Sequence, residues 1–119
     1  MSQEFSIEPY LNDADILNKT AEQIQKDFAF FDLTIVFKQN STSAYTLMYQ
    51  EVLPQIQKLL GANSQKIFSL LYRIDISEAQ LKTELQKNKE QTSEETITNL
   101  IVKRCLQKVV LRKLFSPHD

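Results

Sequence analysis

The chain of 119 residues holds one glycine, Gly61, and three prolines. That scarcity narrows the possible folds. Sheet proteins use glycine in hairpins, bulges and tight turns, and phosphate-cradling loops need two or three together. A many-stranded sheet is therefore improbable, and P-loop and dinucleotide-binding fingerprints are absent. The predicted fold class is all-α: an irregular bundle of four or five helices with one short extended segment near residues 32–38. Hydrophobic residues make up 42% and charged residues 24%, which excludes wholesale disorder. The length suits one domain over 1–119, able to bury roughly two thirds of its unfolded surface. Within it, residues 1–11 read as a leader and 89–92 as a linker before a long closing helix.

Periodicity and capping place the helices. Asn12 is read as the N-cap of the first, with Leu11 and Ile16 as a hydrophobic staple. Leu17, Ala21, Ile24, Phe28 and Phe31 form its apolar stripe. "FDLTIVFK", residues 31–38, alternates apolar and polar with β-branched and aromatic types. It reads as extended, paired with residues 4–8, paired with another copy, or standing without a sheet; "KQNSTS" after it is a loop. In the second helix Tyr45, Met48, Tyr49, Val52, Ile56, Leu59 and Leu60 share one face. A kink or break is expected at Pro54, and Gly61 is expected to cap the end. A third helix over about 64–74 turns Ile67, Leu70, Leu71 and Ile74 inward, with Phe68 and Tyr72 widening that face.

The joint "RIDIS" separates the third helix from the fourth. Ser77 with Gln80 three residues on is a capping box, and Ile76 with Leu81 is a staple. Arg73 falls on the polar face of the third helix and Asp75 in the joint, near the positive end of the fourth. Residues two apart on a helix do not face each other, so Arg73, Asp75, Ser77 and Gln80 read as a structural joint and not a catalytic pair. Asp75→Asn is expected to lower stability by about 1–3 kcal/mol. The fourth helix, about 78–88, has only Leu81 and Leu85 as a thin stripe. Thr92 with Glu95 makes a capping box for the fifth, about 93–115, and Ser116-Pro117 ends it.

The fifth helix has apolar residues on two sides. Val102, Leu106, Val109 and Val110 lie on one, and Ile97, Leu100, Ile101, Leu111 and Phe115 on the other, so contact must come from two directions. Either the helix is central, or the first side is an interaction surface facing a second subunit across a two-fold axis. The same helix carries Arg104, Lys108 and Arg112 at i, i+4, i+8, a possible nucleic-acid contact. The pI of 5.8 opposes that reading. Residues 1–37 carry seven acids and two lysines, whereas 97–119 carry five bases and one acid. Attraction between the two ends of the chain is the expected account of this asymmetry, and an acidic or anionic partner for the C-terminal helix is the alternative.

No catalytic, cofactor-binding or metal-ligating residue can be assembled. His118 is the only histidine and stands beside the chain's last residue. Cys105 is the only cysteine and reads as a small buried hydrophobe. The aromatics Phe28, Phe30, Phe31, Phe37, Tyr45 and Tyr49 read as core. A lone cysteine, no signal-peptide pattern and no apolar run of the roughly 20 residues that span a bilayer point to the cytoplasm and away from membranes.

"LLYRIDISEAQL" (70–81) and "LIVKRCLQKVVLRKLF" (100–115) together resemble a group of short hypothetical bacterial proteins. The resemblance covers residues 64–115 and implies a bacterial, cytosolic, helical protein; it lends no catalytic role to any residue. The expected function is non-catalytic: a protein–protein interaction or assembly protein whose partner is another protein or, in a homodimer, a second copy. The alternative is a nucleic-acid-binding accessory protein using the basic closing helix. No cofactor or metal is expected.

Overall fold

The computed structural model describes residues 6–37 and 44–115, with the backbone alone at Ala44. The chain is all-α: after a 3-10 turn at Glu8–Tyr10 come α1 (Ala14–Ala29), α2 (Ala44–Ala62), α3 (Ser64–Ile74), α4 (Glu78–Lys87) and α5 (Ser93–Phe115). The expectations placed on Phe5, on the 38–43 loop and on Ser116, Pro117 and His118 lie outside the described residues.

α5 is the axis of the bundle and packs against each of the other four helices. Thr92 and Glu95 start it with reciprocal bonds. The Glu95 amide donates to Thr92 Oγ1 at 3.1 Å, and the Thr92 amide donates to Glu95 Oε1 at 2.9 Å. Along α5 both apolar sides are buried, Ile97, Leu100 and Ile101 as well as Val102, Leu106, Val109 and Val110. The central arrangement is therefore the one observed. Val102, Leu106, Val109 and Val110 are 0–3% exposed within a single chain, so they are core and not an interaction surface. Leu114 and Phe115, in the last turn, project beyond this core and are exposed.

α1 begins one residue later than expected. Asp13, not Asn12, is the N-cap, its carboxylate accepting from the Ile16 amide at 3.1 Å. That shift moves Leu11 and Ile16 out of staple register. Ile16, Leu17, Thr20, Ile24, Asp27 and Phe28 are its buried positions. Within α2, Met48, Val52, Ile56 and Leu59 are buried, and the helix runs through Pro54 without a break. Pro54 is exposed, so the Gln50 carbonyl that loses its donor there can turn to water. Gly61 does not cap this helix; it sits in the last turn, no glycine has positive φ, and Asn63 N-caps α3 directly.

Two helices end on aspartate in the left-handed region. At the end of α3, Asp75 has φ 78°, its amide donates to the Tyr72 carbonyl, and the Ile76 amide donates to the Leu71 carbonyl at 2.9 Å. These are the paired bonds of a Schellman motif, closed by apolar Leu71 and Ile76, both buried. Asp32, φ 63°, does the same for α1, with the Leu33 amide donating to Phe28 and the Asp32 amide to Ala29. Aspartate tolerates this region better than most side chains.

Residues 33–37 keep their period-two pattern without a ladder. Ile35 is buried, Leu33 and Phe37 are half-buried, and Thr34 and Val36 face out. Side-chain amides take the place of a neighbouring strand: Gln25 Nε2 donates to the Ile35 carbonyl at 3.0 Å, and Gln55 Nε2 to the Thr34 carbonyl at 3.4 Å. No strand occurs among the described residues. Of the aromatics read as core, Phe28 is fully buried while Phe30 is 65% exposed.

Candidate functional site

Three places on the molecule combine side chains that could act. The first is buried. Asp27 lies on the inner stripe of α1, and its carboxylate is closed in by three helices. Arg73 Nε, from α3, donates to Oδ1 at 3.0 Å. Gln23 Nε2, one turn back on α1, reaches both oxygens at 3.1 Å. The Cys105 thiol of α5 stands 3.9 Å from Oδ2. Arg73 is itself stacked over the Phe30 ring, 4.2 Å from its centroid, so the exposed phenylalanine covers the outer side of the pair.

This arrangement neutralises the groups it gathers. Burial pushes the Cys105 thiol well up, and the neighbouring Asp27 carboxylate adds to the rise. The thiol is held protonated, the opposite of what a nucleophile needs. The cluster ties α1, α3 and α5 together.

The second place is the joint. Ser77 Oγ accepts from the Gln80 amide at 3.0 Å, the expected N-cap of α4. Arg73 and Asp75 do not meet; each has a partner on another helix. Asp75 takes a bond from Arg104 Nη2 of α5 at 3.0 Å, and Arg73 takes Asp27. Beside the joint is a hollow of about 300 Å³, lined by Phe68, Leu71, Tyr72, Ile76, Ser77, Glu78 and Leu81. Phe68 is 52% and Tyr72 87% exposed, so they do not widen the inner face of α3. They lie about 100° and 140° round the helix from Ile67. Leu71, Ile76 and Leu81 give the hollow an apolar floor.

The third place is the ridge of α5. Arg104 bonds Asp75, and its Nε is a buried donor with no partner among the described residues. Lys108 Nζ donates to the Ile74 carbonyl at 3.4 Å, and Arg112 Nη2 to Gln23 Oε1 at 2.6 Å. Each side chain of the row Arg104, Lys108, Arg112 thus places a donor on the end of α3 or on α1. Lys113 bridges Asp15 at 3.2 Å, so the acidic start and basic end do attract each other, as the charge distribution implied. Hydrogen bonds from Lys113 and then Lys19 hold the Asp15 carboxyl below its ordinary range.

Among the described residues no group of three or more His, Cys, Asp or Glu could hold a metal, and no helix is long and apolar enough to cross a membrane. Sequence reasoning missed Asp27. Its one signal was position: counted from Ile16, Thr20 and Ile24, it falls on the same helical face. Compared with protein-family models, curated proteins and solved structures, the chain matches none.

Proposed function

We propose that this is a non-catalytic interaction or assembly protein, and that it makes its contact through the α3–α4 surface around Phe68 and Tyr72. One observation carries the reading. Two aromatics one turn apart stand exposed beside an apolar hollow, on α3, whose inner face is fixed in the core. Exposed aromatics gathered at an apolar depression are the usual anchors of protein interfaces. The titratable groups support the same reading from the other side, because Asp27 and Cys105 are buried and Asp27 is paired with Arg73.

The partner is a second copy of the chain. The surface has both a protruding ring, Tyr72, and a hollow lined by Leu71, Ile76 and Leu81. A patch with both can serve on each side of a two-fold axis, where every residue meets its own counterpart's neighbour. Light scattering on the whole chain tests this. A dimer at micromolar concentration, which Tyr72→Glu splits into folded monomers, is expected. A monomer throughout the micromolar range, or a dimer indifferent to Tyr72→Glu, removes this surface from the proposal. The nucleic-acid alternative gains less support, since Arg104, Lys108 and Arg112 are all bonded within the chain.

A further inference from the structure

A cleft of about 610 Å³ runs between α1 and the last turns of α5, lined by Asp15, Lys19, Glu22, Gln23, Lys26, Val109, Arg112 and Lys113. Four lining side chains are cationic and two anionic, a local net charge of +2 on a chain whose net charge is −1. The two ends of the cleft differ. At the Asp15 end the carboxylate is already bridged, by Lys19 at 3.4 Å and Lys113 at 3.2 Å. Lys26 lies eleven residues further along α1, about 16 Å at the helical rise, and no ion pair ties it to Glu22 or to any other described residue. Arg112 stands across from this end.

Arg112 is held in place. Gln23 accepts from its Nη2 at 2.6 Å, Gln23 in turn donates to both oxygens of Asp27, and Asp27 is fixed by Arg73. A buried ion pair thus orients the amide that orients the guanidinium. A guanidinium has five N–H donors and Gln23 engages one edge of it, leaving donors for a ligand in a pre-set direction. Pre-setting matters because a side chain that need not be ordered on binding leaves more of the interaction as affinity.

We infer that the Lys26–Arg112 end of this cleft binds a small phosphate-bearing anion, Arg112 supplying directed hydrogen bonds and Lys26 a second positive charge. This rests on the cleft alone and is independent of the α3–α4 surface. The probe is inorganic tripolyphosphate, titrated into the whole chain at about 50 mM salt and followed by amide chemical shifts. The expected result is saturable binding, with shifts confined to residues 19–26 and 109–113. Arg112→Gln should weaken it about tenfold, and Lys26→Gln, which leaves the Gln23–Asp27 bonds alone, should also weaken it. Lys103→Gln, outside the cleft, should leave it unchanged. Absence of saturable binding overturns the proposal, as does equal weakening by Lys103→Gln, which marks general attraction to charge. A single-stranded oligonucleotide that binds where tripolyphosphate does not overturns it in favour of a nucleic-acid ridge. If Arg112→Gln fails to fold, Lys26→Gln decides.

Discussion

Two ion pairs in this molecule are built in opposite senses. In Arg73–Asp27 the side chains are 32% and 3% exposed, so the acid is buried and the base reaches solvent. In Arg104–Asp75 they are 17% and 77% exposed, so the base is the more covered partner and the acid is out. The N–O distance is 3.0 Å in both, and distance alone would rank them equal. Burial separates them. Losing Arg73 leaves a carboxylate in the interior with one amide and one thiol, whereas losing Asp75 leaves Arg104 the option of water at its tip. A buried charge without its partner is among the costliest single defects a fold can carry. An exposed partner contributes little, because solvent screens it. The first pair is a fastening of the core, and the second is trim on a helix end.

The largest effect expected comes from removing what both pairs lean on. Cys105 beside Asp27 and Arg104 opposite Asp75 both belong to α5, which also packs against all four other helices. Deleting residues 93–119 should abolish folding, seen as loss of the cooperative thermal transition. A truncated chain that still melts cooperatively would make α5 an appendage and dissolve the comparison. Next in size, Arg73→Ala should lower stability by about 3 kcal/mol, read from the midpoint of urea unfolding. Arg73→Met combined with Asp27→Leu should recover most of that loss, since an apolar pair of similar volume often replaces a buried ion pair without harm. Smallest is Asp75→Asn, at under about 1 kcal/mol, less than a bond of this type suggests from sequence. Asparagine keeps the left-handed tolerance that Asp75 needs at φ 78°. Asp75→Ala should add about 1 kcal/mol to the loss by straining that residue, and Asp75→Gly should remove the strain. Should Asp75→Asn prove as damaging as Arg73→Ala, exposure is not what separates the two pairs.

Much of this was legible in the sequence, and the reasons are local. The span of α3, the Ser77 cap, the Thr92–Glu95 box and the two-sided burial of α5 all follow from spacings within one or two helical turns. The period-two run at 31–38 is extended only over 33–37 among the described residues, since Phe31 and Asp32 form the turn that closes α1, and glutamine side chains, not a strand, satisfy two of its carbonyls. What escaped depends on residues distant in sequence or on an unexpected residue type. Asp27 meets Arg73 across 46 positions, and no spacing rule reaches that far. Both left-handed helix ends use aspartate, so the search for glycine led to Gly61, which Asn63 makes unnecessary by capping α3 at once. Phe68 and Tyr72 were misplaced inward because apolar type outweighed their angle on the wheel. The surface now proposed for contact was therefore hidden in plain composition.

The position of α5 has a consequence for how the protein comes into being. Synthesis proceeds from the N-terminus, and domains tend to fold as units once their parts are available. Here the helix that fills the middle leaves the ribosome after the four that surround it. Until then Ile24 and Phe28 of α1, Val52 and Ile56 of α2, and Leu70 and Ile74 of α3, all completely buried in the finished fold, have no core helix to cover them. A nascent chain that ends before residue 93 therefore lacks the helix that packs against α1, α2 and α3 in the finished fold. Apolar side chains that the finished fold hides are thus without that cover for as long as α5 is still being made.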